Sequence, residues 1–578
     1  MAIIRTKKIV KTLTIKSFLS EGIHRAIKNI GLNADDLIFS VEPPANVEYG
    51  DYATNAALLL SSQFKRSPHG VAQEILRALD KDDLFNKVVY KKTVAGPGFV
   101  NFYISSEYLA KQIKNILENK DNFGRINICQ KKKVQIEFIS ANPTGPLTLG
   151  NGRGGFLGDA LANVLDFVGY DVSREFYVND TGEQIKKLGW SIIAAGKLSA
   201  SEKLEIPYKP EELYAGGYIQ EMAYKMGISK FSKEELDVEA ISRSASKMLL
   251  EDIKRVVKKS KIHFDVWFSE KSLHRQGLVK TVLEEIQRKG LIEKKDGATW
   301  LKIPDDPQTK ERVLIKSSGE ATYLLSDITY HYDKFKRRRF NKVIDIFGAD
   351  HHATAKTLLA ALSALKWSQP VIILMQLVRL IEDGQEVRMS KRTGTFITLE
   401  ELIDTVGLDA ARFFFLMREP NSHMDFDLNL AKERSDKNPV YYVQYAHARA
   451  SSIIEKAKEE GLALPALNLV EGSLSKGIGK DFIHNFSSKI EHPSELSLIK
   501  NLIRLPEILE EIAQNNEVSK LPYYATELAA EFSAFYRDCH VIVEDKELSE
   551  ARLALVCATR IVLANTLKLM GIYAPQRM

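Results

Sequence analysis

The pattern of apolar and polar positions is clearest between residues 134 and 178. Residues 134–139 alternate with the two-residue period of a strand. After the loop 140–147, apolar residues recur at helical spacing from Gly152 until Gly169, a residue suited to ending a helix. Residues 171–178 follow as a second predicted strand. This order of strand, glycine-rich turn, helix and strand predicts the start of a doubly wound parallel sheet of the Rossmann type, an α/β fold.

The flanking patterns divide the chain into three predicted units. The N-terminal unit, 1–118, mixes helical spacing with strand-like alternation and is predicted as a small α/β domain. The unit 119–435 carries the parallel sheet, interrupted by a largely helical insertion at about 200–290. The unit 436–578 is predicted as an α-helical bundle. Further sheet strands are predicted at 343–347 and 371–375, and bundle helices at 441–458, 498–514, 523–541 and 551–571.

The composition is that of an ordinary globular protein, with 44% apolar and 27% charged residues. It excludes disordered, collagen-like and disulfide-scaffold classes. The 81 Lys and Arg residues outnumber the 75 Asp and Glu residues by 6. A protein that coats nucleic acid through charge alone is usually more basic. A partner bound at selected basic surfaces remains open.

Cysteine usage and hydropathy indicate the compartment. Cys129, Cys539 and Cys557 are widely spaced and form no CxxC pair, so a disulfide framework or cysteine zinc site is not expected. No segment approaches the ~18 apolar residues of a membrane span, and residues 1–17 contain no apolar block typical of a signal peptide. We therefore predict a cytoplasmic protein with no membrane partner.

Two segments suggest phosphate chemistry. In Gly145–Arg153, glycines at a helix start would let an anionic ligand approach the backbone N–H groups. In Glu386–Gly394, a basic loop with Ser and Gly could fold over phosphates, with Lys391 as a mobile charge. Each segment alone has a plainer interpretation, a tight turn for the first and a solvated basic face for the second.

Together, in this order on this layout, the two segments resemble the two ATP-binding signatures of class I aminoacyl-tRNA synthetases. Further stretches, in family order over nearly the whole chain, are similar to arginyl-tRNA synthetases of the bacterial type. These stretches are 141–146, 175–182, 348–352, 412–416, 425–428, 438–449 and 574–578. The resemblance implies a Rossmann-type catalytic domain, an added N-terminal domain that touches the tRNA elbow, and a helical anticodon-binding domain.

The resemblance also implies an ATP site. Family positions that contact ATP match Pro143, Gly145, Gly150, Asn151, Gly348, Asp350, His351, Arg388, Met389, Ser390 and Lys391. The catalytic positions among the two signatures match Thr148, Gly150, Asn151 and Lys391. We expect Mg²⁺ to arrive with ATP, held by phosphates, and no tightly bound metal, because adjacent His351 and His352 are poor chelators in regular structure.

The first signature departs from the family. Two histidines normally stand where this chain has Thr148 and Asn151, and Arg388 replaces a common lysine in the second. The Thr148 hydroxyl and Asn151 amide can still donate hydrogen bonds. We interpret the chain as an active variant, with a catalytically impaired tRNA-binding paralogue as the alternative.

An arginine pocket is implied by four further residues. Asp327 and Tyr323, four apart on one predicted helix, match positions that grip the guanidinium. Glu137, an acid within an apolar strand, matches a second carboxylate, and Asn142 a residue at the substrate's α-amino or α-carboxylate end. The plainer interpretations are a helix surface for Tyr323 and Asp327 and, for Glu137, a sheet residue paired with a nearby Lys or Arg.

The expected partners are tRNA(Arg), L-arginine and ATP, and we expect a monomer. Tyr441, Tyr442 and Tyr445 offer stacking surfaces to the tRNA, although tyrosines at helical spacing are also common in cores. The basic run Lys334–Arg339 is predicted as either a phosphate contact or a solvated turn. The implied reaction forms arginyl-adenylate and then transfers arginine to the 2′-hydroxyl of the terminal tRNA adenosine.

Overall fold

The computed structural model of the chain describes residues 14–32, 37–180, 182–197, 205–232, 234–303, 312–387, 397–461 and 481–578. Within them, the N-terminal part mixes helices with an antiparallel sheet, the central part contains a parallel sheet, and the C-terminal part is helical. None of the described helices is long and apolar enough to cross a lipid bilayer.

The N-terminal part packs helices on an antiparallel sheet. Its strands are β1 Val41–Glu42, β2 Tyr52–Thr54, β3 Val89–Ala95 and β4 Phe99–Ile104, in the order β1-β2-β4-β3. Its helices are α1 Ile15–Asn29, α2 Ala56–Phe64, α3 Pro68–Leu79, α4 Asp83–Val88 and α5 Ser106–Asn119. Side chains at helical spacing, including Leu19 and Ile23, bury the inner face of α1.

The central part is built on a parallel sheet, as predicted. Its strands are β5 Lys133–Glu137, β6 Asp171–Val178, β7 Val266–Ser269, β11 Lys342–Gly348 and β12 Val371–Met375. These described strands are all parallel and lie in the order β12-β11-β5-β6-β7. The order reverses between β5 and β11, and ligands of such sheets bind at the carboxyl ends of the strands beside this switch point.

Helices follow or connect these strands. They are α6 Leu149–Phe167, α7 Glu183–Lys197, α8 Gly217–Lys225, α9 Val238–Lys259, α10 Lys271–Arg275, α11 Leu278–Arg288, α12 Tyr323–Tyr332 and α13 His352–Ala364. A small antiparallel sheet contains β8 Ile292–Lys295, β9 Ala298–Leu301 and β10 Val313–Ile315. A third sheet contains β13 Val378–Glu382, β14 Gln385–Glu386 and β15 Met424–Asp427.

Two sequence predictions need correction in this part. The insertion at about 200–290 is not only helical, because β7 lies within it and pairs in parallel with β6 at the sheet edge. All four residues of β7 are partly exposed, so no alternation marks the strand. Helix α6 begins at Leu149, before the predicted Gly152, because Thr148 caps it.

The C-terminal part is helical, and it follows three short helices, α14 Leu399–Val406, α15 Leu408–Leu416 and α16 Leu428–Lys432. Its helices are α17 Pro439–Glu459, α18 Asp481–Lys489, α19 Pro493–Leu502, α20 Leu505–Asn515, α21 Lys520–Asp538 and α22 Lys546–Leu569. The single helix predicted at 498–514 is therefore two. Pro506 lies in the first turn of α20, where its missing N–H costs no helical bond.

Arg412 joins three segments that are far apart in sequence. Its completely buried guanidinium lies 2.8 Å from an Asp159 carboxylate oxygen on α6 and donates to the carbonyls of Ser260 and Lys261, after α9. It also donates to the Met570 carbonyl, at the end of α22, over 3.0 Å. A buried guanidinium needs such acceptors, so these contacts hold the central part of the chain against α22.

The N-terminal part also contacts α20 directly. Buried Glu507 accepts a hydrogen bond from the backbone N–H of Lys16 over 2.8 Å and from the Tyr52 hydroxyl over 2.9 Å. Around it, the Thr14 hydroxyl donates to Glu510 over 2.9 Å, and the Lys16 ammonium lies 2.8 Å from Glu511. This polar contact connects the first and last parts of the chain.

Candidate functional site

The candidate site lies where the sheet order reverses. Glu137 ends β5 and Gly348 ends the neighbouring strand β11, so their side of the sheet is the carboxyl edge at the switch point. Immediately after Glu137 the backbone turns sharply. Ile139 and Ser140 have φ angles of 64° and 39°, a region that L residues and above all β-branched ones rarely occupy. This turn sends loop 140–147 across the sheet edge.

Thr148 and Asn151 form a capping box at the start of α6. The Thr148 hydroxyl accepts from the Asn151 backbone N–H over 3.4 Å, and the Asn151 side-chain oxygen accepts from the Thr148 backbone N–H over 3.0 Å. The box satisfies backbone N–H groups that a helix start leaves unpaired. Because Asn151 uses its oxygen here, its amide N–H groups are the part that could face a phosphate.

The glycines in the first half of α6 fall into two kinds. A Cβ at Gly152 would lie 2.4 Å from Leu399, and one at Gly158 would lie 2.3 Å from Phe138, so these glycines allow α6 to pack closely. A Cβ at Gly150 would meet only the Thr148 hydroxyl, at 3.8 Å, and Gly150 is exposed. Packing does not explain Gly150, and close approach of a ligand does.

The first signature also contacts the residues that follow the second. Thr148 pairs with Thr398 in an antiparallel bridge, and the Leu399 N–H donates to the Leu147 carbonyl over 2.9 Å. The predicted ATP residues Arg388, Met389, Ser390 and Lys391 lie outside the described residues. The described chain resumes at residue 397 and meets the start of α6 there.

Three carboxylates stand side by side on neighbouring strands. Glu137 on β5 is in register with Glu175 on β6 and with Asp345 on β11, and all three are buried. Register partners of a parallel sheet share one face, and like charges placed opposite one another are destabilising. The face therefore requires cations from the element that covers it.

Helix α12 and its continuation supply those cations. A π-helical turn, Asp333–Arg337, extends α12 and turns Lys334 inward. The Lys334 ammonium lies 2.7 Å from Glu137 and 2.8 Å from Asp345, and it is completely buried. The Arg338 guanidinium donates to Glu175 over 2.9 Å. For Lys334, both alternatives predicted from the basic run, a phosphate contact and a solvated turn, are therefore wrong. Its ammonium is buried and pairs with carboxylates inside the protein.

His331 completes the network beside Asp327. One ring nitrogen of His331 lies 2.8 Å from Asp345, and the other lies 2.7 Å from the Asp327 backbone carbonyl. The Tyr330 hydroxyl hydrogen-bonds Glu175. On the same helix, the Tyr323 side chain is exposed, at 54%, and borders solvent. The helix therefore carries both the buried network and, at its first residue, the exposed Tyr323 side chain.

The electrostatics of the pocket favour a bound cation. Burial, and next the nearby carboxylates of Glu137 and Glu270, raise the pKa of Asp327 to about 8. Burial also raises the pKa of Glu137, against the pull of the Lys334 ammonium. Burial acts in the same direction on Asp345, but Lys334 and His331 outweigh it and lower the pKa of that carboxyl to about 2. A cationic ligand beside Asp327 would favour its ionised form.

Loop 140–147, between β5 and α6, is held by side chains from α7 and α8. The Asn142 amide donates to Gln184 on α7 over 2.6 Å, and the Tyr218 hydroxyl of α8 donates to the Thr144 carbonyl over 3.0 Å. A Cβ at Gly145 would lie 3.3 Å from the same hydroxyl, and neighbouring Pro143 is buried. Asn142 thus lies near the start of this loop, five residues after Glu137 at the end of β5.

The loop after β11 is open to solvent. Asp350 and His351 are exposed, with 3.7 Å between carboxylate and ring, and a Cβ at Gly348 would lie 2.5 Å from Asp350. Among the described residues, no group of three or more His, Cys, Asp and Glu side chains could hold a metal ion. Open side chains at this edge suit a nucleoside better than a buried metal.

The three candidate tyrosines of α17 differ in environment. Tyr441 and Tyr445 stack with ring centroids 6.4 Å apart, and the Arg449 guanidinium lies 4.7 Å above the Tyr445 ring. Tyr442 instead packs against the core and donates from its hydroxyl to Ser533 over 3.3 Å. Tyr445 is the exposed tyrosine of the three, whereas Tyr441 and Tyr442 are both half-buried.

Sequence reasoning missed several residues of this site. Glu175 and Asp345 are acids inside apolar strands, the same signal that singled out Glu137. Lys334 was hidden in a basic run, and nothing local marks its inward turn. The pairing of Glu137 with Lys334 agrees with the plainer interpretation of Glu137 as a sheet residue paired with a nearby cation.

Fold and site together define the class of protein. The family described as "tRNA synthetases class I (R), catalytic domain" matches residues 112–433, which contain the sheet and both signatures. Residues 17–104 match the family described as "Arginyl tRNA synthetase N terminal domain". Residues 443–578 match the family described as "DALR anticodon binding domain". The chain therefore has the catalytic domain of a class I aminoacyl-tRNA synthetase, and the predicted fold class is confirmed.

Relatives narrow the class to one family. The chain is 42% identical over 550 residues to the arginine–tRNA ligase of Moorella thermoacetica, covering 93% of this chain and 94% of the relative. It is 43% identical over 575 residues to that of Geobacter sp. strain M21, covering 98% and 99%. The solved arginyl-tRNA synthetase of Thermus thermophilus shares the fold, with a TM-score of 0.75 at 22% identity over 98% of this chain and 100% of that one. The chain belongs to the arginyl-tRNA synthetase family.

Proposed function

We propose that this chain ligates L-arginine to tRNA(Arg) with ATP. The observation that carries the proposal is the pocket at the switch point, where Asp327, with a pKa of about 8, and Glu137 form an acidic wall under the exposed Tyr323. A guanidinium presents five donors in a plane and suits several carboxylate oxygens. Family membership agrees with the pocket and gives no support to the impaired paralogue.

The reaction would follow from alignment across the sheet edge. With its guanidinium at Asp327 and Glu137, an arginine would extend along loop 140–147 toward Asn142, which holds its α-amino or α-carboxylate end. A carboxylate oxygen of arginine attacks the α-phosphorus of ATP, the bond to the β-phosphate breaks, and arginyl-adenylate and pyrophosphate form. No side-chain nucleophile is required, because positioning and charge stabilisation supply the catalysis.

The start of α6 would face the phosphates. The helix N-terminus, the open backbone at Gly150 and the Asn151 amide offer donors to the developing charge. Pro143 and Gly145 shape the loop beside it, and Arg388, Met389, Ser390 and Lys391 would supply the second signature. Gly348, Asp350 and His351 would line the adenosine. Mg²⁺ would accompany ATP on its phosphate oxygens.

In the second step the 2′-hydroxyl of the terminal tRNA adenosine attacks the arginyl carbonyl, and AMP leaves. We assign residues 1–118 to the tRNA elbow, 119–435 to catalysis and 436–578 to the anticodon, with Tyr441, Tyr442 and Tyr445 as candidate contacts. Cys129, Cys539 and Cys557 are free thiols, which supports a reducing cytoplasm as the place of action. We propose that the enzyme acts as a monomer.

Arginine-dependent exchange of pyrophosphate into ATP tests the proposal. We expect exchange with folded tRNA present and little without it, and formation of arginyl-tRNA under the same conditions. Lysine in place of arginine is the matched control, because its ammonium cannot satisfy both pocket carboxylates. Binding of tRNA without any exchange would instead support the impaired paralogue.

The altered first signature has its own test. Thr148→Ser keeps the capping hydroxyl, and Thr148→Val removes it at similar volume. We expect Thr148→Val to lower Tm through loss of a cap worth about 1 kcal/mol, and Thr148→Ser to leave Tm unchanged.

Restoring a family residue with Asn151→His should preserve exchange. Complete loss of exchange in Asn151→His would show that this site does not use its donors as the family does.

A further inference from the structure

One chain of hydrogen bonds links the two acidic residues of the arginine pocket. Lys334 bonds Glu137 through Oε2 and Asp345 through Oδ1, over 2.7 and 2.8 Å. The other oxygen of Asp345, Oδ2, lies 2.8 Å from Nε2 of His331. Nδ1 of His331 lies 2.7 Å from the backbone carbonyl of Asp327. The contacts therefore join the Glu137 carboxylate, through Lys334, Asp345 and His331, to the backbone of Asp327.

The Lys334 ammonium uses its whole donor capacity inside this chain. Its three N–H groups face Glu137, Asp345 and the ring of Tyr330, whose centroid is 4.1 Å away. No part of the side chain is exposed, so it is sheltered from solvent and phosphate alike. A group in this position acts on ligands only through the carboxylates that it holds.

The geometry of the bond to Glu137 limits what that carboxylate can offer. Lys334 engages Oε2, so Oε1 is the oxygen turned away from the ammonium. Glu175, the next carboxylate in register, is engaged separately by Arg338 and Tyr330. One ammonium thus serves the two carboxylates of Glu137 and Asp345, and the pair keeps an excess of negative charge.

We propose that Lys334 is a positioning residue of the arginine pocket: its ammonium holds Glu137 through Oε2 so that Oε1 is oriented to accept from the substrate guanidinium. This inference rests on the proposed function. Without Lys334, Glu137 and Asp345 would face each other in register without a shared cation, and one of them would take up a proton. A protonated Glu137 loses the negative charge that strengthens its bond to a guanidinium, and a rotated Glu137 no longer directs Oε1 at the ligand.

Lys334→Met tests the proposal, with Lys336→Met as the matched control. Both variants remove one ammonium from the same turn, but Lys336 is exposed. In Lys334→Met we expect the KM for arginine to rise roughly tenfold or more while the KM for ATP stays within about twofold. Lys336→Met should leave both values within about twofold. A Lys334→Met enzyme with an unchanged arginine KM, or with equal rises for arginine and ATP, overturns the proposal.

A double-mutant cycle separates positioning from support of the fold. Arginine binding is measured by calorimetry on Glu137→Gln, Lys334→Met and the double variant. If Lys334 acts through Glu137, adding Lys334→Met to Glu137→Gln weakens binding by less than about twofold. Fully additive losses overturn the proposal.

Two controls test whether the Lys334 variants fold and whether the wild-type protein has the proposed activity. If Lys334→Met alone does not fold, Lys334→Met with Asp345→Asn, which removes one charge of each sign, is measured by the same KM criteria. Failure of both proteins to fold assigns Lys334 a purely structural role and overturns the proposal. Absence of arginine-dependent exchange in the wild type would instead refute the proposed function.

Discussion

Two regions of the molecule bury carboxyl groups, and they do so in different ways. At the contact between the N-terminal part and α20, Glu507 faces neutral donors, the Tyr52 hydroxyl and the Lys16 backbone N–H. At the sheet edge, Glu137 and Asp345 stand in register and share the ammonium of Lys334. The first site contains one buried carboxyl group, Glu507, with hydrogen-bond donors from the protein. The second contains several buried carboxyl groups, two of which share one ammonium.

The two regions show that a raised pKa alone does not mark a binding site. Burial raises the pKa of Glu507 to about 7, and it raises that of Asp327 to about 8. The difference lies in surroundings: the protein itself satisfies Glu507, whereas Asp327 is partly exposed beside the exposed Tyr323. A surplus of carboxylates at an open sheet edge is what indicates a cationic ligand.

The largest effect should come from Asp327→Asn. We expect the KM for arginine to rise roughly 100-fold, the equivalent of about 3 kcal/mol for a charged hydrogen-bonded contact. Because the ionised carboxyl is disfavoured in the fold, the Tm at pH 8 should be unchanged or higher. Steady-state exchange kinetics and calorimetry measure the two quantities. A wild-type arginine KM would remove Asp327 from the pocket.

Glu507→Gln should change stability and leave the pocket intact. In the folded protein Glu507 keeps its proton up to pH about 7, whereas the unfolded chain loses it near the ordinary value of 4.5. Stability is therefore complete below pH 4.5, falls as pH rises through this window, and stays lower above pH 7, by on the order of 3 kcal/mol. Glu507→Gln should lose this pH dependence of Tm. An altered arginine KM in the variant would break the distinction between the two regions.

Arginine affinity should itself depend on pH. Below pH about 8 the free Asp327 carboxyl carries a proton that guanidinium binding must displace. The arginine Kd should therefore fall as pH rises from about 6 to 8, by as much as roughly tenfold per pH unit, and then level off. Calorimetric titrations across this range measure the slope. Asp327→Asn should flatten it and Glu507→Gln should not, and a slope that persists in Asp327→Asn would assign the titration to Glu137 or Glu270.

The smallest effect is expected for Tyr52→Phe. Removing the hydroxyl takes one donor from buried Glu507 and should cost about 1–2 kcal/mol of stability. The loss should be greatest above pH 7, where Glu507 is ionised and needs the donor most. Denaturation at two pH values measures this, with Tyr49→Phe, an exposed tyrosine of the same part, as control. Equal losses for both variants would show that the Tyr52 hydroxyl is not specifically engaged.

Much of the fold could be predicted from the sequence, because its strands and helices carry clear periods. Strand β6 matches its predicted residues 171–178, and the bundle helices lie close to their predicted ranges. Short elements were harder: β7 has four half-buried residues and no alternation, so it was assigned to a helical insertion. Pro506 divides a continuous apolar pattern into two helices.

The site was predictable only in part, for a physical reason. Glu137, Tyr323 and Asp327 carry local signals or match family motifs. Lys334 does not, because its role depends on strands β5 and β11 lying side by side and on the π-helical turn that directs it inward. Such a partnership is a property of three-dimensional packing, and a basic run in the sequence gives no indication of which charge will be buried.

Arg412 has a consequence for how the protein is made. Its acceptors lie at Asp159, Ser260, Lys261 and Met570, so they span most of the chain. During synthesis from the N-terminus, the acceptor at Met570 becomes available only after α22 has been made. Until then the guanidinium has a carboxylate and two carbonyls but lacks the acceptor that ties it to the C-terminal part. The complete buried cluster therefore forms late in folding, and it joins the parallel-sheet part to α22 only once that helix has been synthesised.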